Sequence, residues 1–381
     1  MKATSPNGKV ADATTNTKSQ DLKLSVIDKI ERVRQHRRHK FYLRDERVTL
    51  SHGSGGKASH NLIEGIFGPA FSNLMLDTMD DAAIFSINGT GQRLAFSTDT
   101  FVVSPLFFPG GDIGKLAVHG TVNDLAVSGA KPLYLSAGFI LEEGFPIAEL
   151  RRIVDSMAQA AADAGVAIVT GDTKVVERGK ADGLFINTAG VGLVETSWPM
   201  GQLQARPGDK ILVNGPVGDH GISVMLAREA LEIETDIQSD TAALHTLTAA
   251  LIEAAGEGLH CLKDPTRGGL ATSLNEIAIA SEVAIALDER LIPVRSGVRG
   301  ACEILGLDAL TIANEGKLLV VVAPEAARAA LEAMRDHPLG KEAALIGEVR
   351  EEPEAMVFIR TELGGTRVLD MLVGDPLPRI C

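Results

Sequence analysis

Aspartates in four short polar segments are the first candidates for chemistry in this sequence. They are Asp77, Asp80 and Asp81 in LDTMDDAA, Asp99 in STDT, Asp124 in HGTVNDLA and Asp172 in TGDTK. Hard cations such as Mg²⁺ bind carboxylate oxygens together with the phosphates of a substrate. Each aspartate alone could be a cap or a turn residue. Four groups at predicted strand ends and on one predicted helix instead favour a shared site for Mg²⁺ and a nucleotide.

A glycine-rich segment with a lysine precedes these aspartates. Residues 51–57 read SHGSGGK and contain Gly55, Gly56 and Lys57. Backbone N–H groups in such a loop can bind phosphate oxygens. The segment is not a Walker A motif, because Ala58 follows the lysine where Ser or Thr is required. The alternative is a flexible loop at the start of the compact protein.

Two motifs in the second half also contain charged residues beside glycine. Residues 263–270, KDPTRGGL, place Asp264 and Arg267 before a predicted helix, and residues 313–317, ANEGK, place Glu315 before a predicted strand. A partly buried glutamate can serve as a general base, because burial raises its pKa. The alternative is a solvated carboxylate in an ordinary turn.

The three cysteines have different surroundings. They are far apart and form no CxxC pair, which argues against a disulfide framework or a zinc site. Cys261 and Cys302 lie in apolar segments and are predicted core residues. Cys381 ends the given sequence in LVGDPLPRIC, whose glycine and prolines predict an extended, mobile segment. We therefore expect an exposed and reactive thiol at residue 381.

The elements that must position these residues follow from hydrophobic periodicity and from Gly and Pro signals. In the first half, strands are predicted over 82–87, 94–98, 133–140, 166–170 and 184–194, and helices over 113–128 and 146–164. In the second half, strands are predicted over 211–214, 318–322 and 344–349, and helices over 221–231, 241–255, 270–281 and 324–336. Asp99 and Asp172 then each follow a strand, whereas Asp124 shares a helix with His119 and Asn123.

This pattern predicts two α/β halves that meet near residue 200. We expect a disordered, charged leader over 1–45 with a short helix over 22–38, an N-terminal domain over 46–200 and a C-terminal α/β domain over 201–365. Residues 366–381 form the predicted mobile tail that ends in Cys381.

Charge and composition restrict the class of protein. The formal net charge of -13 argues against a nucleic-acid partner, and we interpret the one basic stretch, 32–40, as a solvated part of the leader. No apolar run approaches the ~18 residues of a membrane span, and the first residues do not resemble a signal peptide. We expect a cytoplasmic protein without a membrane segment.

Together the motifs resemble those of the HypE family of hydrogenase maturation factors, the carbamoyl dehydratases. The matching segments are SHGSGGK (51–57), MDDAA (79–83), STDT (97–100), HGTVNDLA (119–126), GDTKVV (171–176), KDPTRGGL (263–270), ANEGK (313–317) and PRIC (378–381). The aspartate motifs mark a superfamily shared with aminoimidazole ribonucleotide synthetase and selenophosphate synthetase, whereas PRIC is specific. The resemblance covers residue 51 to the end and implies the α/β (α+β), two-domain fold of that superfamily.

The resemblance also implies a reaction. A carbamoyltransferase, HypF, would carbamoylate Cys381, and ATP would drive dehydration of that group to a thiocyanate, giving ADP and phosphate. A HypC–HypD complex would accept the cyanide ligand for the iron of NiFe-hydrogenase. Fold relatives form dimers through the N-terminal half, so a homodimer is expected.

Site residues are assigned on the matching motifs. Glu315 and Lys174 are expected beside the inserted tail, with Glu315 accepting a proton and Lys174 supplying positive charge, although the reverse is possible. Asp81, Asp99 and Asp124 are the expected Mg²⁺ ligands. The expected nucleotide-binding residues are Gly55, Gly56, Lys57, Asp81, Asp99, Thr100, Asn123, Asp124, Gly171 and Asp172.

Two other functions fit parts of the sequence. One is a fold relative acting on a free small molecule, such as a selenophosphate synthetase, although the glycine-rich loop contains no Cys. The other is a non-catalytic nucleotide-binding scaffold that offers its tail to a partner. Dependence of ATP turnover on Cys381 separates the first from a carbamoyl dehydratase, and ATP binding without hydrolysis identifies the second.

Overall fold

The computed structural model describes residues 43, 45–87, 89–229, 236–374 and 378–381. These residues belong to one compact unit, Phe41–Cys381. The helix predicted over 22–38, and nearly all of the predicted leader, lie outside the described residues. Within the described part of the chain, no helix is long and apolar enough to cross a membrane.

Five strands of the first half form a sheet in the order β1-β2-β7-β5-β6. The strands are β1 (Ala83–Ser86), β2 (Arg93–Phe101), β5 (Ala130–Glu142), β6 (Ala167–Val176) and β7 (Leu184–Val194), and a separate small hairpin pairs β3 (Phe107–Phe108) with β4 (Gly111–Asp112). Only β5 and β6 are parallel neighbours; the other neighbours are antiparallel. Side chains alternate between the two faces, so register decides which polar residues meet.

Two long helices cover the inner face of this sheet. In chain order the first-half helices are α1 (Lys57–Leu62), α2 (Gly68–Phe71), α3 (Ile113–Val127) and α4 (Ile147–Asp163). The Asp112 side chain caps α3 by accepting hydrogen bonds from the backbone N–H groups of Gly114 and Lys115. Helix α4 buries Ile153, Met157 and Ala160, which follow one another on one helical face. The core of this half therefore lies between α3, α4 and the sheet.

Seven strands of the second half form a larger sheet in the order β14-β13-β10-β12-β8-β11-β9. The strands are β8 (Lys210–Val213), β9 (Leu259–Lys263), β10 (Ala284–Asp288), β11 (Leu319–Val322), β12 (Ala344–Arg350), β13 (Met356–Arg360) and β14 (Thr366–Val368). The helices are α5 (Asp219–Glu229), α6 (His245–Ala255), α7 (Gly269–Ser281), α8 (Ser296–Leu305) and α9 (Ala327–Asp336). One apolar cluster packs α7 against the strands of this sheet, and a second packs α6 and α9 against them.

Single-turn elements connect these units. They are 3₁₀ turns at Leu50–Gly53, Leu76–Thr78, Gln202–Gln204, Gly256–Gly258, Glu289–Leu291, Ala309–Thr311 and Pro338–Gly340, and a π-helical turn at Ile63–Phe67 between α1 and α2. The predicted division near residue 200 falls between the two sheets. Both sheets belong to the same compact unit, so the predicted domain limits stay a prediction.

Most predicted elements are confirmed, with two kinds of error. The prediction that Asp99 and Asp172 follow strands is wrong, because β2 continues to Phe101 and β6 to Val176, so both aspartates lie inside strands. Polar side chains interrupt the apolar pattern there, but the backbone still pairs with β7 and β5. The sequence analysis also missed some second-half elements. These are β9, β10, α8, β13 and β14, short segments whose apolar runs carry no clear period.

Candidate active site

Acidic residues from both halves converge between the two sheets. Asp81 lies just before β1, Asp99 on the inner face of β2, and Asp124 on α3. The Ser97 hydroxyl donates to Asp124 Oδ2 (2.5 Å) and is 3.1 Å from the carbonyl oxygen of Asp81. Lys263, the last residue of β9, places Nζ 2.7 Å from Asp81 Oδ1, which joins the second half to this group. Asp264, the next residue, is buried beside it.

The electrostatics show how tightly these carboxylates are grouped. Burial, followed by the carboxylates of Asp264, Asp99 and Asp81, raises the pKa of Asp124 well above its ordinary value. Burial and then Asp81 raise the pKa of Asp264 to about 7. Burial also raises the pKa of Asp99, against the opposing charge of Arg267. Carboxylates held this close favour either a shared proton or a bound cation.

Glu315 is a buried carboxylate with an unused oxygen. The residue is only 3% exposed, so the alternative of a solvated turn is wrong. Its Oε1 atom is buried without a hydrogen-bond partner. Burial, then the charges of Asp99, Asp240 and Asp264, raise the pKa of Glu315 well above its ordinary value. A buried carboxylate with a raised pKa and a free acceptor atom is suited to take up a proton.

The last residues of the chain run alongside the segment after β2. The backbone N–H groups of Val102 and Ser104 donate to the carbonyl oxygens of Cys381 (3.0 Å) and Arg379 (3.1 Å). The Ile380 side chain is 3% exposed and belongs to the core cluster of the first half. Residues 379–381 are therefore docked rather than fully exposed in this structure, because one apolar side chain and the backbone carbonyls find partners inside the protein, and the mobility of the tail stays a prediction.

Docking puts the Cys381 thiol against the charged site. Burial raises the pKa of the Cys381 thiol; Arg267 opposes this rise, whereas Glu315 and Asp99 add to it. The charge of Cys381 is in turn the largest cause that raises the pKa of Arg267. Burial therefore disfavours the thiolate in this position, and the expected reactivity of the Cys381 thiol stays a prediction. Cys261 and Cys302 are buried, as predicted.

The glycine-rich loop borders a cavity of about 300 Å³ beside this site. Gly55, Asp81, Asp264, Arg267, Thr272 and Glu276 are among its lining residues. Gly55 has a positive φ of 75° and packs directly on Arg267, where a Cβ atom would clash. Lys57 lies apart from the carboxylates: its backbone N–H donates to the Leu372 carbonyl (2.9 Å) and its ammonium pairs with Asp370.

The structure separates Thr100, Asp172 and Lys174 from the predicted site residues Asp81, Asp99, Asp124 and Glu315. Asp172 lies opposite Gly138, Gly138 opposite Asn187, and Asn187 opposite Thr100 on neighbouring strands. Residues in one such row share a sheet face, so the side chains of Asp172 and Thr100 are both on the outer face. Asp99 is on the inner face, because adjacent residues of a strand point oppositely. Lys174 is 67% exposed and pairs with Asp172. Within one chain, Lys174 does not meet Glu315, and Gly171 packs on the Ala137 carbonyl of β5.

Asn123 is buried, and its side chain hydrogen-bonds to the protein's own backbone. Its amide donates to the carbonyl oxygens of Ala242 (3.0 Å) and Glu315 (3.3 Å), and its side-chain oxygen accepts from the Leu244 N–H (2.8 Å). This predicted nucleotide-binding residue therefore holds α3 against the loop that carries Glu315.

The carboxylates of the site fit a hard cation by their chemistry. Oxygen donors from Asp81, Asp99, Asp124 and Asp264 are of the type that Mg²⁺ prefers, and their mutual repulsion favours a positive charge between them. Among the residues that the structure describes, no group of three or more His, Cys, Asp or Glu is arranged as a preformed metal site. Phosphate oxygens would have to complete such a site.

Sequence reasoning noted Asp264 and Arg267 but gave them no role, and it missed Asp240 altogether. Asp264 and Arg267 stand in KDPTRGGL, whose glycines were the available signal. Asp240 Oδ1 and Oδ2 accept from the backbone N–H groups of Glu315 (3.1 Å) and Gly316 (3.2 Å). Nothing in its local sequence indicates this.

Comparison with known families identifies both halves. Residues 79–194 match the N-terminal domain of AIR synthase related proteins, and residues 206–360 match the C-terminal domain of the same family. Together these matches cover most of the described chain and account for the two sheets.

Individual relatives extend the similarity to nearly full length. The chain is 55% identical over 344 residues to "Carbamoyl dehydratase HypE" of Rhizobium leguminosarum bv. viciae, covering 90% of this chain and 98% of that protein. It also resembles the HypE chain in a crystal structure of a HypE–HypF complex (TM-score 0.77, 50% identity, 82% of this chain and 99% of that one). A structure of hydrogenase maturation protein HypE with ATP matches with a TM-score of 0.74 and 49% identity, covering 88% and 100%. The chain therefore belongs to the carbamoyl dehydratase HypE family, with the two-domain fold of AIR synthase related proteins.

Proposed function

We propose that this protein uses ATP to dehydrate a carbamoyl group carried on its own Cys381, giving a thiocyanate for hydrogenase maturation. One observation carries the proposal: the Cys381 residue is docked with its thiol beside Glu315, Arg267 and Asp99. The thiol serves as the carrier of the substrate, and the docked position is where a carbamoyl group on the sulfur would meet the base.

The nucleotide belongs in the cavity between the glycine-rich loop and α7. Its volume of about 300 Å³ is at the lower end of the range of small-molecule sites. Helix α7 starts there at Gly269 without a side-chain cap, and its first-turn N–H groups suit phosphate oxygens. The Thr272 hydroxyl is buried without a hydrogen-bond partner and lines the same cavity. A relative's structure was solved with ATP, which supports ATP as the nucleotide.

The chemistry requires removal of one oxygen and two protons from the carbamoyl group. The amide oxygen attacks the γ-phosphorus of ATP, an O–P bond forms, and the bond to ADP breaks. The nitrogen then gives up its two protons, the C–O bond breaks, phosphate leaves with the oxygen, and a C≡N bond remains on sulfur. Phosphorylation converts a very poor leaving group into a good one. The transfer itself depends mainly on positioning and charge neutralisation.

Specific side chains fit these steps. Glu315 Oε1, buried and unpartnered, accepts one proton from nitrogen, and the leaving phosphate carries away the other. Arg267 supplies the positive charge beside the sulfur that the sequence analysis gave to Lys174. Asp81, Asp99, Asp124 and Asp264 would hold Mg²⁺, which when bound neutralises charge on the phosphate oxygens.

Carbamoylation must take place with the tail released. In the docked position burial raises the pKa of the Cys381 thiol, so the nucleophilic thiolate is scarce. We infer that the tail leaves the site to be carbamoylated by HypF, returns for dehydration, and leaves again to deliver cyanide to HypC–HypD. The solved HypE–HypF complex of a relative supports HypF as a partner. The cytoplasmic location expected from the sequence stays a prediction.

A second copy of the chain would cover the outer face of the five-stranded sheet. Phe96 pairs with Val191, and Val191 with Tyr134, which makes a contiguous apolar row across three strands. Phe96 is 48% exposed and Tyr134 52% exposed. Asp172, Lys174 and Thr100 share this face, so any role they have would be exercised at the dimer interface. We propose a homodimer through this surface.

The function is tested by ATP turnover with HypF and carbamoyl phosphate present. The native protein should release ADP in step with carbamoylation, whereas Cys381→Ala should bind ATP and show no carbamoyl-dependent release of ADP. Equal release by both proteins would favour an enzyme acting on a free substrate. ATP binding without release by the carbamoylated native protein would favour the scaffold function.

A further inference from the structure

Asp240 holds the backbone of the proposed base. This buried carboxylate accepts from the N–H groups of Glu315 and Gly316 with different oxygens, at 3.1 and 3.2 Å. Lys317 Nζ lies 2.9 Å from Asp240 Oδ2 and balances its charge, both side chains being almost fully buried. Three successive residues of the ANEGK loop are therefore fixed by one side chain.

The approach of the loop to residue 240 leaves no free space. A Cβ atom at Gly316 would overlap the carbonyl oxygen of Asp240, so only glycine allows this contact. The backbone N–H of Ala242 also donates to the Glu315 carbonyl, at 3.4 Å. The loop and the turn Ser239–Asp240 thus behave as one packed unit.

Ser239, the other residue of the turn, acts on the tail. The Ile380 carbonyl can only accept, so His220 Nε2 carries a hydrogen and donates it at 2.9 Å. In the neutral ring Nδ1 then accepts from the Ser239 hydroxyl, 2.8 Å away, whose oxygen also accepts from the Thr241 N–H (3.1 Å). Burial lowers the pKa of His220, in agreement with a neutral ring that has one donor.

From these contacts we propose that the turn Ser239–Asp240 is a positioning element that sets Glu315 and Cys381 against each other. Asp240 acts through the loop of Glu315, and Ser239 acts through His220 on the residue before Cys381. Two adjacent residues, Ser239 and Asp240, thus determine the positions of both Glu315 and Cys381. The hydrogen bond from the Ser239 N–H to the Pro109 carbonyl (2.8 Å) anchors these two residues in turn. This inference deepens the proposed function and rests on it.

Neither Ser239 nor Asp240 touches the reacting atoms, so their effect must pass through Glu315 and the tail. Asp240→Asn keeps the shape but replaces one acceptor oxygen by an NH₂ group, which cannot accept an N–H. A shift of the base by about 1 Å can cost up to ~10²-fold in rate. We expect the single-turnover dehydration rate to fall by roughly 10–100-fold, with unchanged Mg-ATP affinity.

A double-mutant cycle separates this role from general damage. Asp240→Asn should lower the rate of the native protein but cause no further loss in the Glu315→Gln background. Asp236→Asn, an exposed change four residues earlier, is the control and should have no effect. A rate for Asp240→Asn equal to that of the native protein, or an equal loss in both backgrounds, would overturn the role of Asp240.

The tail contact is tested without any turnover. Iodoacetamide labelling of Cys381 in the uncarbamoylated full chain, followed by peptide mass, should be at least about fivefold faster in His220→Phe and Ser239→Ala, because a buried carbonyl loses its fixed donor. Native labelling rates in both variants would contradict the role of Ser239. If the native protein does not dehydrate the carbamoyl group, the proposed function itself is refuted. If the native protein does so and the variants show native rates of dehydration and labelling, only this inference is refuted.

Discussion

At the scale of single residues, Glu315 is the side chain on which the proton transfers depend. Glu315→Gln keeps the shape and removes the base, and loss of a positioned base typically costs ~10²–10⁴-fold. We expect normal ATP binding by calorimetry and a dehydration rate reduced by that factor in single-turnover experiments. Glu253→Gln, an exposed change on α6, is the matched control. A native rate in Glu315→Gln would assign the proton transfer to another group.

Asp99 tests the proposed cation and nucleotide site. It lies among buried carboxylates whose repulsion a cation would relieve. Asp99→Asn removes one negative ligand, and we expect Mg-ATP affinity to fall about tenfold or more, as is common when a metal environment is altered. Asp155→Asn, on the exposed side of α4, should leave the affinity unchanged. Calorimetry that gives equal affinities for both variants would remove Asp99 from the site.

Sequence motifs identified the residues of the carboxylate site, but they did not show which motif residues point to the inner and which to the outer face of the five-stranded sheet. Asp99, Asp124, Glu315 and Cys381 stand in motifs that matched the family, and the structure brings them together. Asp172 and Lys174 stand in an equally good motif yet lie on the other sheet face. The difference depends on strand register, which the sequence alone does not show. Asp240 and His220 became relevant only through contacts distant in sequence.

At the scale of elements, the tail docks through two backbone hydrogen bonds and one buried side chain. Ile380 fixes it by burial in the first core, and Ile380→Ala removes most of that apolar contact. Large-to-small changes at buried positions cost roughly 2–5 kcal/mol, so we expect release of the tail and at least about tenfold faster alkylation of Cys381. Leu363→Ala, at a 99% exposed position, is the control. Unchanged labelling in Ile380→Ala would show that the backbone hydrogen bonds alone hold the tail.

Long elements were predictable and short ones were not. Helix α4 and strand β7 carry strong periodic patterns and agree with prediction to within a residue or two. The tail was predicted to be mobile because Pro and Gly disfavour regular structure. That reasoning is local, and it could not include the core pocket that receives Ile380 or the donors that meet its carbonyl.

At the scale of the whole molecule, the outer sheet face predicts a homodimer. Phe96→Glu places a charge in the middle of the apolar row formed with Val191 and Tyr134. We expect sedimentation to show a dimer for the native protein and a monomer for this variant, because an unpaired charge in an apolar interface is costly. Leu363→Glu, on a different exposed surface, should leave the dimer intact. A native protein that sediments as a monomer would contradict the proposed interface.

Mass spectrometry of the C-terminal peptide tests the central claim most directly. After incubation with HypF, carbamoyl phosphate and Mg-ATP, the peptide ending in Cys381 of the Glu315→Gln variant should gain about 43 Da, the mass of a carbamoyl group on a nucleophilic thiol. In the native protein, which uses the same Mg-ATP for dehydration, the adduct should be lighter by about 18 Da, the water lost when phosphate leaves with the amide oxygen. An adduct on Cys261 or Cys302, or a mass drop that persists in Cys381→Ala, would contradict the account.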